Sequence, residues 1–226
     1  MDGMLNIDKP AGQTSRDVVN VAQRWFPRGT KIGHAGTLDP LATGVLVLCV
    51  GAATKLVARI QDMGKTYLTV VRFGATSNTD DSDGIIAHNP GAVPFSEAAL
   101  REKLPLFVGA IQQLPPIFSA LKVDGKRAHD LARRGKEVKL EPRTVHVESI
   151  ALLKYEWPFA ELEIVCGKGT YVRSIARDLG QMLEVGGLVQ TLRRTRIGPF
   201  RAEDAFGLDV EWDIARKKLI PMSMMK

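Results

Sequence analysis

From Ile32 to Thr54 the chain carries one formal charge, the carboxylate of Asp39. The second half of that stretch, "GVLVLCVG", has the length and β-branched content of a strand covered on both faces. The neighbouring segments supply more strands. "KTYLTVVRFG" alternates, with Tyr67, Thr69, Val71 and Phe73 on one face. "TVHVESIALLKYEW" and "FAELEIVCG" also read as strands, the second with Leu162, Ile164 and Cys166 inward and Glu161 and Glu163 outward. Between them lie helical patterns. "TSRDVVNVAQRWF" has Thr14 or Ser15 as cap and Val18, Val21, Ala22 and Trp25 at helical spacing. "SEAALREKLPLFVGAI" gives a capped helix interrupted near Pro105. "TYVRSIARDLGQML" buries Val172, Ile175, Ala176, Leu179 and Met182, and Gly186-Gly187 stops it. Strands and helices mix without a βαβα rhythm, which predicts an α+β fold: a mixed, largely antiparallel sheet flanked by helices.

A chain of 226 residues, 45% hydrophobic and 25% charged, can build its own core. Its two cysteines, Cys49 and Cys166, sit in apolar strand-like runs and read as buried packing thiols of a reduced compartment. No apolar run reaches the ~18 residues of a membrane span, and the start lacks a basic region followed by an apolar one. A cytoplasmic protein is expected. The net charge of +6 is mild, but basic residues gather in two places. Lys122–Arg143 holds eight Lys/Arg and four Asp/Glu, and "LRRTRIGPFR" adds Arg193, Arg194, Arg196 and Arg201 with no acid. Each cluster alone reads as a solvated face; together they point to a polyanion partner.

Several motifs fail. "GKT" at Gly64–Thr66 has Arg59 where a P-loop needs glycine. "TDDSDG" at Thr79–Gly84 has Thr79 and Pro90 at the first and twelfth positions of an EF-hand loop, so it reads as a hydrated acidic turn. The four histidines lack metal-ligand spacing, and no Rossmann fingerprint or GxSxG occurs. No metal and no cofactor are expected; side chains must carry any chemistry. Asp39-Pro40 is good turn chemistry, but a carboxylate in an uncharged, glycine-flanked loop is also a candidate nucleophile or general base. Such a group calls for a partner. In "CGKGTYVRS" two glycines turn the chain at a strand end, and Arg173 enters the first turn of the next helix. An arginine beside a carboxylate lowers its pKa by roughly 1–3 units. Tyr67 follows a tight "MGK" turn, where an aromatic ring could stack on a base or simply pack in the core.

The stretches "LNIDKPAGQTS", "GHAGTLDPLATGVLVLCVGAATK", "KTY", "PPIFSALKVDGKRAH", "CGKGTYVRSIARDLG" and "LRRTRIGPF" resemble, in order, the signatures of the TruB-type tRNA pseudouridine synthases. The resemblance covers most of residues 3–200. It implies the pseudouridine synthase fold, with Asp39 as the catalytic aspartate. Tyr67 then matches the tyrosine that stacks on the target uracil, and Arg173 the arginine paired with the aspartate. Leu192 matches an apolar residue lining the base pocket and His34 a histidine near the flipped nucleotide. The segment at about 119–143 resembles the family's RNA-gripping insertion, making Lys122, Lys126, Arg127, Arg133, Arg134 and Lys136 candidate RNA contacts along with Arg193 and Arg194. The implied substrate is a uridine in the TΨC stem-loop of tRNA. A single catalytic domain over residues 1–226, acting as a monomer, is expected. Residues 201–226 are expected to form a short tail in place of the PUA-like domain that many members carry.

Pseudouridine formation is an isomerisation, which fits a chain without cofactor motifs. Asp39 could attack ribose C1′ or uracil C6, or remove a sugar proton. A glycoside hydrolase is one rival, although that class uses two carboxylates. A non-catalytic RNA-binding or tRNA-folding module is the other.

Overall fold

The computed structural model describes residues 1–119, 121–123, 126–127 and 139–225; for 122–123 and 126–127 it describes the backbone alone. The chain begins with β1 (Gly3–Lys9), α1 (Ser15–Gln23), β2 (Ile32–His34), β3 (Thr43–Val50), α2 (Val57–Asp62) and β4 (Lys65–Phe73). Then come β5 (Ala75–Ser77), β6 (Ile86–His88), α3 (Glu97–Lys103), β7 (Gly109–Gln113), β8 (Lys122–Val123) and β9 (Lys126–Arg127). The last described elements are β10 (Arg143–Glu156), β11 (Phe159–Cys166), α4 (Val172–Met182), β12 (Gly187–Ile197), β13 (Phe200–Arg201) and α5 (Trp212–Lys217). Contacts within the chain, expected as one domain, gather in two compact units: Met1–Tyr67 with Arg193–Lys226, and Leu68–Leu192.

In the first unit β3 lies between two antiparallel neighbours. β1 runs along one side, from Gly3 opposite Val50 to Lys9 opposite Gly44. β2 runs along the other, from Ile32 opposite Val50 to His34 opposite Leu48. Arg193 and Arg194 of β12 lie parallel to Thr43 and Gly44. All of β3 after Thr43 is buried, as the uncharged run requires. Val45, Val47 and Cys49 join Met4, Ile60 and Phe200 in the core. Thr14 is the residue that caps α1, in a reciprocal capping box with Asp17, an arrangement worth ~1 kcal/mol. Ser15, the alternative cap, is buried and bonds elsewhere. The segment after Phe200 is no loose tail. Met4 and Ile220 exchange both backbone hydrogen bonds, at 2.9 and 2.8 Å, and Phe206 bonds to Asn6 and Asp8.

In the second unit β10 pairs antiparallel with β7 and with β11. The portions of β4 and β12 in this unit continue the order to β12-β4-β11-β10-β7. The alternation of β4 appears as read, with Lys65, Tyr67, Thr69, Val71 and Phe73 buried. Pro105 sits in a 3-10 turn, Leu104–Phe107, that follows α3. Helix α4 buries Val172, Ile175, Ala176 and Leu179 as expected, but Met182 is 43% exposed. The glycine pair is not its stop. The chain leaves the helix earlier, with Glu184 at φ 58°, and Gly186-Gly187 packs onto Gly180, where any Cβ would collide with their backbone.

Candidate active site

Asp39 lies in the loop between β2 and β3, within the first unit. Ala35, Leu38 and Ala42 are buried and anchor it, while Asp39 is half-buried. The Asp39 carbonyl accepts from the Ala42 amide at 3.1 Å, so the Asp-Pro turn is real, with Pro40 at its second position. A loop with buried backbone must satisfy its polar groups, and three side chains do much of this. Ser15 Oγ accepts from the Leu38 amide at 2.9 Å and donates to the Leu38 carbonyl at 3.2 Å. Lys9, fully buried, donates to the carbonyls of Pro10, Gln13 and Pro40 at 2.8, 2.6 and 3.2 Å. Arg194, 1% exposed, donates to Val45, Gly36 and Thr37 at 2.8, 3.0 and 3.4 Å. Burying such cations is costly without hydrogen bonds, and each bond to a charged group returns ~1.5–3 kcal/mol. Gly44, at φ 96°, is required here: a Cβ would strike the Arg194 carbonyl.

His34 is the last residue of β2 and half-buried. Tyr67 is 7% exposed and belongs to the same unit. Two residues before it, buried Lys65 donates to the carbonyls of Gln61 and Met63 at 2.7 and 2.6 Å, holding the end of α2 against the turn. This draws the chain tight where β4 starts, as the "MGK" turn suggested.

Arg173 and Leu192 belong to the second unit. Arg173 enters in the first turn of α4, as expected, and is 3% exposed. Its guanidinium donates to the carbonyls of Thr79 and Phe118 at 2.8 and 3.0 Å and lies 3.4 Å from the Asp81 carboxylate. The acidic turn, expected to be hydrated, is exposed at Asp83 but not at Asp81. Asp81 is 4% exposed and accepts from Thr79 Oγ1 at 2.6 Å and the Asp83 amide at 3.2 Å. One helical turn on, Arg177 pairs with Asp80 and Asp178 at 2.9 and 2.8 Å and donates to the Leu114 carbonyl. Burial pushes the Asp80 carboxyl above its usual range, against the opposing charge of Arg177. Gln113 clasps the Tyr171 backbone from both sides, at 3.0 and 2.8 Å. Leu192 is 7% exposed within β12.

The basic residues divide. Lys122 and Arg127 face each other across the short β8–β9 pairing, next to Lys126; Arg133, Arg134 and Lys136 lie outside the described residues. The arginines of the second cluster have different partners. Arg194, expected to touch RNA, is enclosed and occupied by loop carbonyls. Arg193 forms a two-pronged pair with Asp8, at 3.0 and 2.8 Å, which holds the guanidinium above its ordinary pKa. Arg196 donates to the Gly198 carbonyl, and Arg201 to Glu203. Lys9, Asp81, Gln113 and Arg177 were not singled out by sequence reasoning, and Ser15 only as a possible helix cap. Lys9 and Asp81 do lie in segments with visible signals, but neither signal shows burial.

Residues 24–172 match the family model described as TruB family pseudouridylate synthase, N-terminal domain. Residues 173–211 match that of the tRNA pseudouridylate synthase B C-terminal domain. The chain belongs to the TruB family of pseudouridylate synthases. It is 48% identical over 221 residues to the tRNA pseudouridine synthase B of Cereibacter sphaeroides, covering 97% of this chain and 73% of that one. It is 52% identical over 207 residues to the protein of the same name from Paracoccus denitrificans, covering 92% and 69%. Among solved structures it is similar to a chain in a Cbf5-Nop10-Gar1 complex, with 30% identity and a TM-score of 0.73. That match covers 97% of this chain and 60% of the other. A chain in an H/ACA RNP bound to a substrate RNA containing 2'-deoxyuridine shows 28% identity and a TM-score of 0.67, covering 93% and 52%.

Proposed function

We propose that this protein isomerises a uridine in the TΨC loop of tRNA to pseudouridine, with Asp39 as the catalytic carboxylate. The observation that carries this reading is the Asp39 loop itself: a half-buried carboxylate on a backbone fixed by Lys9, Ser15 and Arg194. Fixing a reacting group in advance is what lowers a barrier by positioning. The names of the relatives supply the substrate class.

In the reaction the bond between ribose C1′ and uracil N1 breaks and one between C1′ and C5 forms. C5 loses a proton and N1 gains one, so nothing is oxidised or reduced. Asp39 acts as a nucleophile or as a base; its geometry is compatible with either. The uridine must first leave its stack, which costs a few kcal/mol. Tyr67, His34, Leu192 and Arg173 are assigned supporting roles by their match to the family's stretches. The protein is proposed to work as a cytoplasmic monomer without a cofactor.

The test incubates unmodified tRNA with purified protein, without metal or nucleotide, and maps pseudouridine by chemical adduct and primer extension. We expect modification at one TΨC-loop uridine. Asp39→Asn should abolish it with tRNA affinity changed by no more than a few fold. A tenth or more of wild-type turnover in that variant would refute the assignment. Release of free uracil would favour a hydrolase, and no modification with intact RNA binding would favour a folding module.

A further inference from the structure

Three cations, Arg24, Arg28 and Lys31, fall within eight residues of sequence that hold no acid. In the first unit the exposed side of α1, the turn after it and the start of β2 enclose a cleft of about 780 Å³, within the ~300–1,000 Å³ of ligand-holding clefts. Arg24, Arg28 and Lys31 line it, with Asn20, Gln23 and Thr54 as neutral hydrogen-bonding groups. All three cations are exposed. Among the described residues no carboxylate lines the cleft, and none of these cations forms an ion pair. The Thr30 amide bonds to the Pro27 carbonyl at 3.1 Å, and Gly29 takes φ 88°. This turn, with left-handed backbone at its third position, fixes Arg28 at the corner of the cleft.

The geometry points to a phosphate-gripping cleft for the RNA strand that flanks the target uridine. The cations match the charge of a sugar–phosphate backbone, and the side-chain amides of Asn20 and Gln23 suit phosphate and 2′-hydroxyl oxygens. The Thr54 hydroxyl gives its proton to the Gly51 carbonyl at 2.8 Å and can only accept, as from a 2′-hydroxyl. The aromatic ring at the cleft, Phe26, is 5% exposed, so it offers little face for base stacking. The cleft ends at Ile32 and Gly33 in β2, the strand that leads to the Asp39 loop. Asp39 is six positions after Gly33, a span of at most ~20 Å. That is roughly six steps of ~3.4 Å along a stacked strand. A phosphate in the cleft would therefore belong to the same arm of the RNA as a uridine at Asp39. This assignment rests on the proposed activity for the identity of the RNA.

The experiment measures the affinity of unmodified tRNA against salt concentration. It compares wild type, the triple variant Arg24→Ala, Arg28→Ala, Lys31→Ala, and the single variant Arg28→Glu. The triple variant should bind about tenfold or more weakly at low salt, with a log–log slope shallower by roughly 2–3, close to one per lost phosphate contact. Arg28→Glu, on an exposed turn, should also weaken binding without changing the melting temperature, and decides the matter if the triple variant is less stable. The single-turnover rate at saturating RNA should be unchanged. Unaltered affinity and slope in Arg28→Glu would overturn the proposal, including the case in which the cleft serves a protein partner. Mapping pseudouridine formed by wild type beside these titrations separates the two readings. A slope change with no pseudouridine from wild type would reject the activity and keep the cleft; pseudouridine with no slope change would do the reverse.

Discussion

Arg194 directs its guanidinium to the carbonyls of Val45, Gly36 and Thr37, which bracket the loop that holds Asp39. A lysine can reach one or two of these oxygens and cannot reproduce the planar fork. Arg194→Lys should lower unfolding free energy by about 2–4 kcal/mol, as loss of buried charged hydrogen bonds does; urea denaturation would show it. Misplacing a reacting group by ~1 Å can cost about 100-fold in rate. Single-turnover isomerisation by the folded variant should accordingly drop at least tenfold, while tRNA affinity changes by less than about threefold. An unaltered rate would show that Lys9 and Ser15 suffice to hold the loop. Cys49 represents the opposite case, a group kept chemically quiet by its setting. Burial pushes its thiol up to about 11, so at pH 8 it should resist alkylation in the folded protein and react once urea exposes it. Rapid labelling under native conditions would contradict the packing seen around β3.

At the scale of elements, the joint between α4 and the 79–83 turn combines opposite charges with burial. Burial raises the pKa of Asp80 above the ordinary 3.8, and Arg177 opposes that rise without cancelling it. The folded chain therefore holds this proton more tightly than the unfolded chain. Its contribution to stability is complete below the ordinary carboxylate value and is lost as pH rises through the raised one. Asp80→Asn removes the titration and keeps a residue that tolerates the positive φ found there. The melting temperature of wild type relative to this variant should fall as pH rises from the ordinary carboxylate value through the raised one. A difference that rises over that range would mean that the pairing with Arg177 outweighs burial and favours the ionised carboxylate. This joint also marks where sequence reading ends. Period-two and helical spacing expose which faces are apolar, so β3, β4, β11 and the main stripe of α4 were legible. Spacing cannot tell a solvated acid from a buried one. Asp81 looked like part of a wet turn because its counter-charge, Arg173, lies 92 positions along the chain. Lys9 and Arg194 were obscured in the same way: their partners are backbone carbonyls, which no residue pattern announces.

For the whole molecule the question is where a net charge of +6 acts. Lys122–Arg143 contributes eight cations against four acids. Much of the other basic stretch has internal partners, with Arg193 on Asp8 and Arg194 on the Asp39 loop. The proposed insertion should therefore carry a large share of the attraction to RNA. Contacts of that kind are made to phosphates, which position a nucleic acid without reading its sequence. Replacing Arg133, Arg134 and Lys136 by alanine should weaken binding to all tRNAs alike. The log–log salt slope should become shallower by roughly 1–3. Once RNA saturates the variant, the single-turnover rate should stay close to wild type, because Asp39, Tyr67 and Arg173 are untouched. Titrations at several salt concentrations, paired with rapid-quench measurements, separate these effects. An unchanged slope would make the segment a solvated face, and a collapse of the saturated rate would mean that it helps to shape the site of reaction.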